Sequence, residues 1–189
     1  MLKKKFIITV NILLLFFVYS NSYANNKIEI INNLNNIETL KFDFVQKSFD
    51  KKEYGVCYLK RPAFLKCSYE DKKQKELIIN RRNLVIYHKR YNKIYYYPAS
   101  KSYFLEILNK EKFFELVMKG KMQSNNNITE IEHFDENKGQ VTFFFNNENY
   151  DLIGWRLIDI NNNITVFEIN NQSKNIEIKK KVFYIPDGN

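Results

Sequence analysis

Apolar and polar residues alternate along most of this chain, and in two places the alternation gives way to helical spacing. Ile30, Ile31, Leu34 and Ile37 recur at helical intervals, which predicts an amphipathic helix over 27–39. Alternation begins in LKFDFVQKSF, where Phe42 and Phe44 face one way and Lys41, Asp43 and Lys47 the other. In YGVCYLKRPAFLKCSY, residues 54–69, two strands fold back across Lys60-Arg61-Pro62-Ala63. The odd positions Cys57, Leu59, Leu65, Cys67 and Tyr69 form one apolar row, and Arg61 falls on the same parity at its end. ELIIN and LVIYHK follow across Arg81-Arg82, and KIYYYP closes on the latter across Arg90-Tyr91-Asn92. Six strands joined by short turns predict an antiparallel meander.

From Ser102 to Lys119 the period changes: Phe104, Ile107 and Leu108, then Phe113, Leu116 and Val117, recur at helical intervals, with Gly120 as the C-cap. This segment predicts two short helices or one broken helix. After SNNN the alternation returns in ITEIEHF, QVTFFFN, LIGWRLIDI, ITVFEIN and IEIKKKVFYI. The reading is mainly β: about eleven antiparallel strands with an N-terminal helix and a helical insertion. A sheet that long must curl, and the amphipathic helices are the cover available for its concave face. Beneath them lies either an ordinary aromatic core or a cavity in a partly open barrel, and periodicity is the same for both.

The first 24 residues change the picture. Three lysines, an apolar run from Phe6 to Tyr19 and Ser22-Tyr23-Ala24 have the form of a signal peptide cut after Ala24. The mature chain, 25–189, is then a single exported domain. The first cysteine is Cys57, so no cysteine stands at the cut to be acylated. Losing Lys3, Lys4 and Lys5 takes the formal charge from +9 to +6. Export and the scatter of the lysines exclude a nucleic-acid partner and leave a loose attraction to anionic membrane surfaces. In an oxidising compartment Cys57 and Cys67, equidistant from the turn, are either disulfide-bonded or two small buried hydrophobes. Hydrolytic chemistry has little to draw on: His88 and His133 lie on separate strands, no G-x-S-x-G occurs, and neither histidine belongs to a metal-spaced cluster. No enzyme activity, metal or cofactor is expected.

An ordered series of short motifs is similar to the LolA family. Phe44, Gln46 and Lys47 resemble its F-x-Q-K; Gly55 followed by Arg61-Pro62 resembles G-x5-R-P. Tyr87, Tyr97-Pro98 and the helical insertion come next, then Trp155 with Asp159 as W-x3-D, and Phe183, Pro186 and Gly188 as F-x-x-P-x-G. The resemblance implies an incomplete antiparallel barrel closed by a helical lid over a hydrophobic cavity. It also implies a monomeric periplasmic carrier of a Gram-negative bacterium, with acylated lipoproteins as cargo. The cargo is taken from an inner-membrane ABC transporter to an outer-membrane receptor, with transient membrane proximity. On this resemblance Phe42, Phe44, Leu59, Leu65, Cys67 and Trp155 are expected to contact acyl chains. Arg61, aimed by Pro62, is expected to bond lid-helix carbonyls and hold the empty protein shut.

The physics of Arg61 agrees with that role. A guanidinium has five donors and keeps its charge, so placing it beside apolar strands demands acceptors. The chain departs from the family in three places: Cys67 and Val85 stand where aromatics are frequent, which would reshape the cavity, and Asn80-Arg81 replaces Asp-Gly. A type I′ turn there places Arg81 at positive φ, at a cost of ~1 kcal/mol. A second function fits the same fold, namely a periplasmic lipid- or glycolipid-binding module or an envelope sensor.

Overall fold

The computed structural model describes residues 26–187 except 82, 99–102 and 126. The expected signal peptide, Gly188, Arg82 and the first residue of the predicted helical insertion lie outside the described residues. A helix, α1 (26–35), precedes a meander of β1 (Thr39–Ser48), β2 (Lys51–Lys60), β3 (Phe64–Tyr69), β4 (Lys75–Asn80), β5 (Asn83–His88) and β6 (Lys93–Pro98). Two helices, α2 (Phe104–Leu108) and α3 (Lys110–Lys119), lead to a second meander. That meander is β7 (Lys121–Ser124), β8 (Ile128–Asp135), β9 (Gly139–Asn146), β10 (Leu152–Ile158) and β11 (Ile164–Lys174). The strand order β6-β5-β4-β3-β2-β1-β11-β10-β9-β8-β7 makes one antiparallel sheet of eleven strands whose edges, β6 and β7, are not paired to each other.

This topology explains the helical insertion. The first meander runs outward from β1 to one edge, and the second returns from the far edge until β11 pairs with β1. The chain must therefore cross between the edges, and α2 and α3 make that crossing. Their apolar residues Ile107, Leu108, Phe113, Leu116 and Val117 are buried in the same core as Phe42, Leu59, Leu65, Phe143 and Trp155. The insertion is two helices because Asn109 is extended (φ −82°, ψ 122°), ends α2 and caps α3 by accepting a hydrogen bond from Lys112 N at 2.9 Å. Gly120 ends α3, but at φ −63° it is no left-handed cap. A Cβ there would lie 2.5 Å from Ile131 Cγ2, so glycine is required by close packing on β8.

The structure departs from the sequence reading in four places. Helix α1 ends at 35 instead of 39; Ile37 is still buried, because a turn with Ile37 N donating to Leu34 O carries it inward. Strand β7, KMQS, falls between the predicted helices and the return of alternation after SNNN, where no strand was read. The predicted last strand, IEIKKKVFYI, is not one: it contains a 3₁₀ turn at Lys180–Phe183 and straps the outer face of β3 and β4. There Phe183 is fully buried, 5.5 Å from the Phe64 ring, and its carbonyl accepts from Asn80 Nδ2 at 3.0 Å. Val85 belongs to that outer side too, since its neighbour Leu84 pairs with Ile79 in the inner core; it therefore does not reshape the cavity. Arg81 does take φ 61°, as the turn requires.

Cys57 and Cys67 face each other across β2 and β3 and form a disulfide. The bond closes a loop with a sequence separation of 10. Cross-linking so short a loop removes unfolded-state entropy worth about 2–3 kcal/mol. The paired Cys57→Ala, Cys67→Ala variant is expected to lose that much in urea unfolding monitored by far-ultraviolet circular dichroism; an unchanged midpoint would show that the bond adds nothing.

Candidate functional site

Arg61 follows β2, and its backbone N–H donates to Glu38 O at 2.9 Å, fixing the turn to the segment between α1 and β1. Its peptide to Pro62 is cis. The side chain is 9% exposed and reaches the C-terminus of α2, where Nη1 donates to Leu108 O at 2.9 Å and to Ile107 O at 3.2 Å. These carbonyls lack helical partners and carry the negative end of the helix dipole, so a cation is the fitting cap. Burial pulls the guanidinium pKa below its ordinary value, while Glu38 and Glu111 push it back up. Among the described residues Nε is buried without a partner. A charge held by two carbonyl bonds but not fully satisfied ties the β2–β3 turn to α2 with intermediate strength.

Helix α1 holds α3 from its two ends. Lys27 Nζ donates to Met118 O and Gly120 O, each at 2.8 Å, at the helix C-terminus. At the N-terminus Lys110 Nζ donates to Asn35 O at 2.8 Å and pairs with Glu38. Together α1, α2 and α3 cover one end of the concave face.

Beneath α2 lies a wholly apolar cavity lined by Leu40, Phe42, Leu59, Leu65, Ile107, Leu108, Leu152, Trp155 and Ile169. Its volume is about 30 Å³, room for roughly one water molecule, so α2 packs closely on the sheet. Behind it stands a stack of aromatics. The Trp155 and Phe167 rings are parallel at 4.3 Å, and Phe44 stacks on the other side of Phe167 at 4.8 Å. Beyond the stack the concave face opens into a mouth of about 260 Å³ lined by Leu77, Ile86, Leu157, Phe167 and Trp155, with Gln46, Tyr69, Lys75 and Thr165 at its polar side.

The residues expected at the site divide accordingly. Phe42, Leu59, Leu65 and Trp155 line the cavity, and Arg61 caps the helix above it. Phe44 lies in the aromatic stack instead. Cys67 is buried in the disulfide next to the cavity row but is not part of the lining. The parity of a side chain fixes its face but not how far along the strand the cavity reaches. Leu152 and Ile169 were not anticipated. Leu152 differs in parity from Trp155, and a register shift between Leu152 and Gly154 brings both to one face. Ile169 follows Phe167 on the inward face of β11, where alternation would have found it.

The motif residues have structural work as well. Gln46 Oε1 accepts from Tyr69 Oη at 2.8 Å, and Lys47 pairs with Glu168. Asp159 organises the β10–β11 turn, accepting from Asn161 N at 2.8 Å and Asn163 N at 2.9 Å. Its bonds to Asn163 hold the carboxyl below the usual carboxylate range. Among the described residues no cluster of three or more metal-ligating side chains occurs, and no helix is long and apolar enough to cross a membrane.

Comparison with solved structures finds the same fold at very low identity. An uncharacterized conserved protein from Thermus thermophilus aligns with TM-score 0.55 at 4% identity over 86% of this chain and 94% of that one. MucB in the Pseudomonas aeruginosa MucA/MucB complex aligns with TM-score 0.51 at 6% identity over 87% of this chain and 61% of that one. A DUF1329 family protein from Desulfovibrio piger gives TM-score 0.50 at 9% identity, over 87% of this chain and 96% of that one. No curated protein matches the sequence. The family model described as outer membrane lipoprotein carrier protein LolA matches residues 35–186, from the end of α1 through both meanders, the lid and the C-terminal strap. This chain belongs to the LolA family.

Proposed function

We propose that the protein is a periplasmic carrier that binds the acyl chains of lipoproteins beneath the α2–α3 lid. In this reading it moves them from an inner-membrane ABC transporter to an outer-membrane receptor. The observation that carries the reading is the pair of bonds from Arg61 to Ile107 O and Leu108 O, read here as a latch on the lid, above a small, wholly apolar cavity. Exposing an acyl chain to water costs ~0.8 kcal/mol per methylene, so a multiply acylated protein faces tens of kcal/mol in crossing the periplasm. Cargo wedges α2 away from Leu59, Leu65 and Trp155 and breaks the latch. The empty protein regains both the latch bonds and the apolar lid contacts. Closure therefore opposes loading, keeps the affinity modest and drives release to a receptor with the greater affinity.

The protein purified from its own periplasm is expected to carry acylated lipoproteins, identified by mass spectrometry of the bound fraction. Recovery of free lipids or glycolipids instead would assign it to lipid binding and overturn the lipoprotein reading.

A further inference from the structure

The mouth lies at one end of the strands, and the hairpin turns continuing from it form its rim. Gln46, Lys75, Ile86, Leu157 and Thr165 line the mouth, and each stands within three residues of a turn or loop at that end. The rim therefore carries the β1–β2 turn, the β3–β4 loop, the β5–β6 turn and the β10–β11 turn. Three of these present a large apolar residue to solvent: Phe49 is 79% exposed, Tyr91 53% and Ile160 66%.

Phe49 is the least explicable by folding. It occupies the two-residue loop between Ser48 and Lys51 at φ 50°, a left-handed position that favours glycine or asparagine and disfavours a bulky side chain. The ring is almost entirely in water, so it returns no packing for that conformation.

Charge on the β1–β6 half of the rim is equally one-sided. Lys51, Lys72, Lys73, Lys89, Arg90 and Lys93 are all exposed there, against Asp50, Glu70 and Asp71. Asp71 is already engaged, its Oδ1 accepting from Lys75 N at 2.9 Å. The β3–β4 loop and the β5–β6 turn are tied into one unit, with Lys89 N donating to Gln74 O and Arg90 N to Lys73 O, both at 3.3 Å. Tyr91 stands amid these cations. Downstream the sequence holds no acidic residue between Glu76 and Glu106.

We infer that this rim docks on an anionic lipid bilayer, with Phe49 and Tyr91 entering the headgroup layer and the cations meeting lipid phosphates. Aromatic residues at projecting tips combined with a basic surround suit such an interface, where each alone binds weakly. An acidic protein surface would match the charge but would not call for an isolated phenylalanine at a turn tip. Docking in this orientation points the apolar mouth, and the Trp155–Phe167 stack behind it, at the membrane from which acyl chains come. The inference goes beyond the carrier reading. It is tested without cargo, so its failure would leave acyl-chain binding untouched.

The test is co-sedimentation of the mature, cargo-free protein with protein-free vesicles of phosphatidylethanolamine and phosphatidylglycerol, or of phosphatidylcholine alone. Binding to the anionic vesicles is expected to be at least about tenfold tighter, and 0.5 M salt should remove the difference. The surface variant Phe49→Ser, Tyr91→Ser should weaken anionic-vesicle binding by about tenfold with an unchanged circular dichroism spectrum. Lys72→Gln, Lys73→Gln, Lys89→Gln and Arg90→Gln together should abolish the lipid preference. Equal binding to both vesicle types, or full binding by either variant, would overturn the inference. So would binding only to vesicles that contain membrane proteins, which would assign the rim to a protein partner.

Discussion

Arg61→Leu is expected to leave cargo loading intact and to slow cargo release on the order of 30–150-fold, the equivalent of about 2–3 kcal/mol. One buried guanidinium nitrogen donates to two carbonyls at the end of α2, at 2.9 and 3.2 Å, and bonds to a charged donor contribute ~1.5–3 kcal/mol each. The orphaned Nε reduces the sum below two full bonds. In the proposed cycle these bonds exist only when the lid is down, so leucine removes stability from the empty state alone. It also adds apolar surface that acyl chains can use. The balance shifts toward the loaded protein, and the receptor must extract cargo against that shift. Transfer of a triacylated lipoprotein to a purified outer-membrane receptor, followed as a time course, reads the effect. Arg61→Lys keeps a cation that can reach one carbonyl and should fall between the two. Transfer by the leucine variant at the unmodified rate would remove the latch from the mechanism.

Gly55→Ala is expected to destabilise the fold by at least about 3 kcal/mol, because overpacking here meets backbone that cannot yield. Gly55 pairs with Phe44 on β1 and Tyr69 on β3. A Cβ at this position would stand 2.1 Å from Ser68 O and 2.7 Å from the Phe44 ring. The carbonyl belongs to the β2–β3 ladder, so relief requires the strands to separate. The ring is fixed between Phe167 at 4.8 Å and Tyr69 at 4.9 Å, in the stack that separates the cavity from the mouth. The glycine and the phenylalanine eleven residues before it are thus one packing unit. Urea denaturation gives the loss directly; a midpoint near that of the unmodified protein would show that the strands part more easily than the packing implies.

Much of this architecture is legible in the sequence, and the misses share a cause. Alternation reports which side of a strand is buried, not whether the strand has a hydrogen-bonded neighbour. IEIKKKVFYI carries the buried Ile178 and Phe183, the latter in the 3₁₀ turn packed on β3 and β4, yet the segment is a strap and pairs with nothing as a strand. KMQS offers a single apolar residue, the half-buried Met122, too short a pattern to read as a strand, and it is one through its pairing with β8. The two errors cancel, which is why the total of eleven agrees with the structure. Arg61 was legible in its face from the period of two, while its acceptors on α2 lie 46 and 47 residues away and no local pattern reaches that far. Phe44 shows the limit along the strand axis: it has the parity of Phe42, yet two residues further along it has left the cavity for the aromatic stack. Leu152 shows the limit set by bulges, where one extra residue reverses the parity on which such readings depend.

The central claim is that the lid lifts to admit acyl chains beside Trp155, the chain's single tryptophan and a lining residue of the apolar cavity. Titrating the purified mature protein with a lipopeptide whose acyl chains carry bromine, a quencher acting only at close range, measures that event on one side chain. Saturable quenching of the Trp155 emission, accompanied by faster amide hydrogen exchange across α2 and α3, is the predicted result. Emission unchanged at saturating lipopeptide, with lid exchange as slow as in the empty protein, would contradict the account.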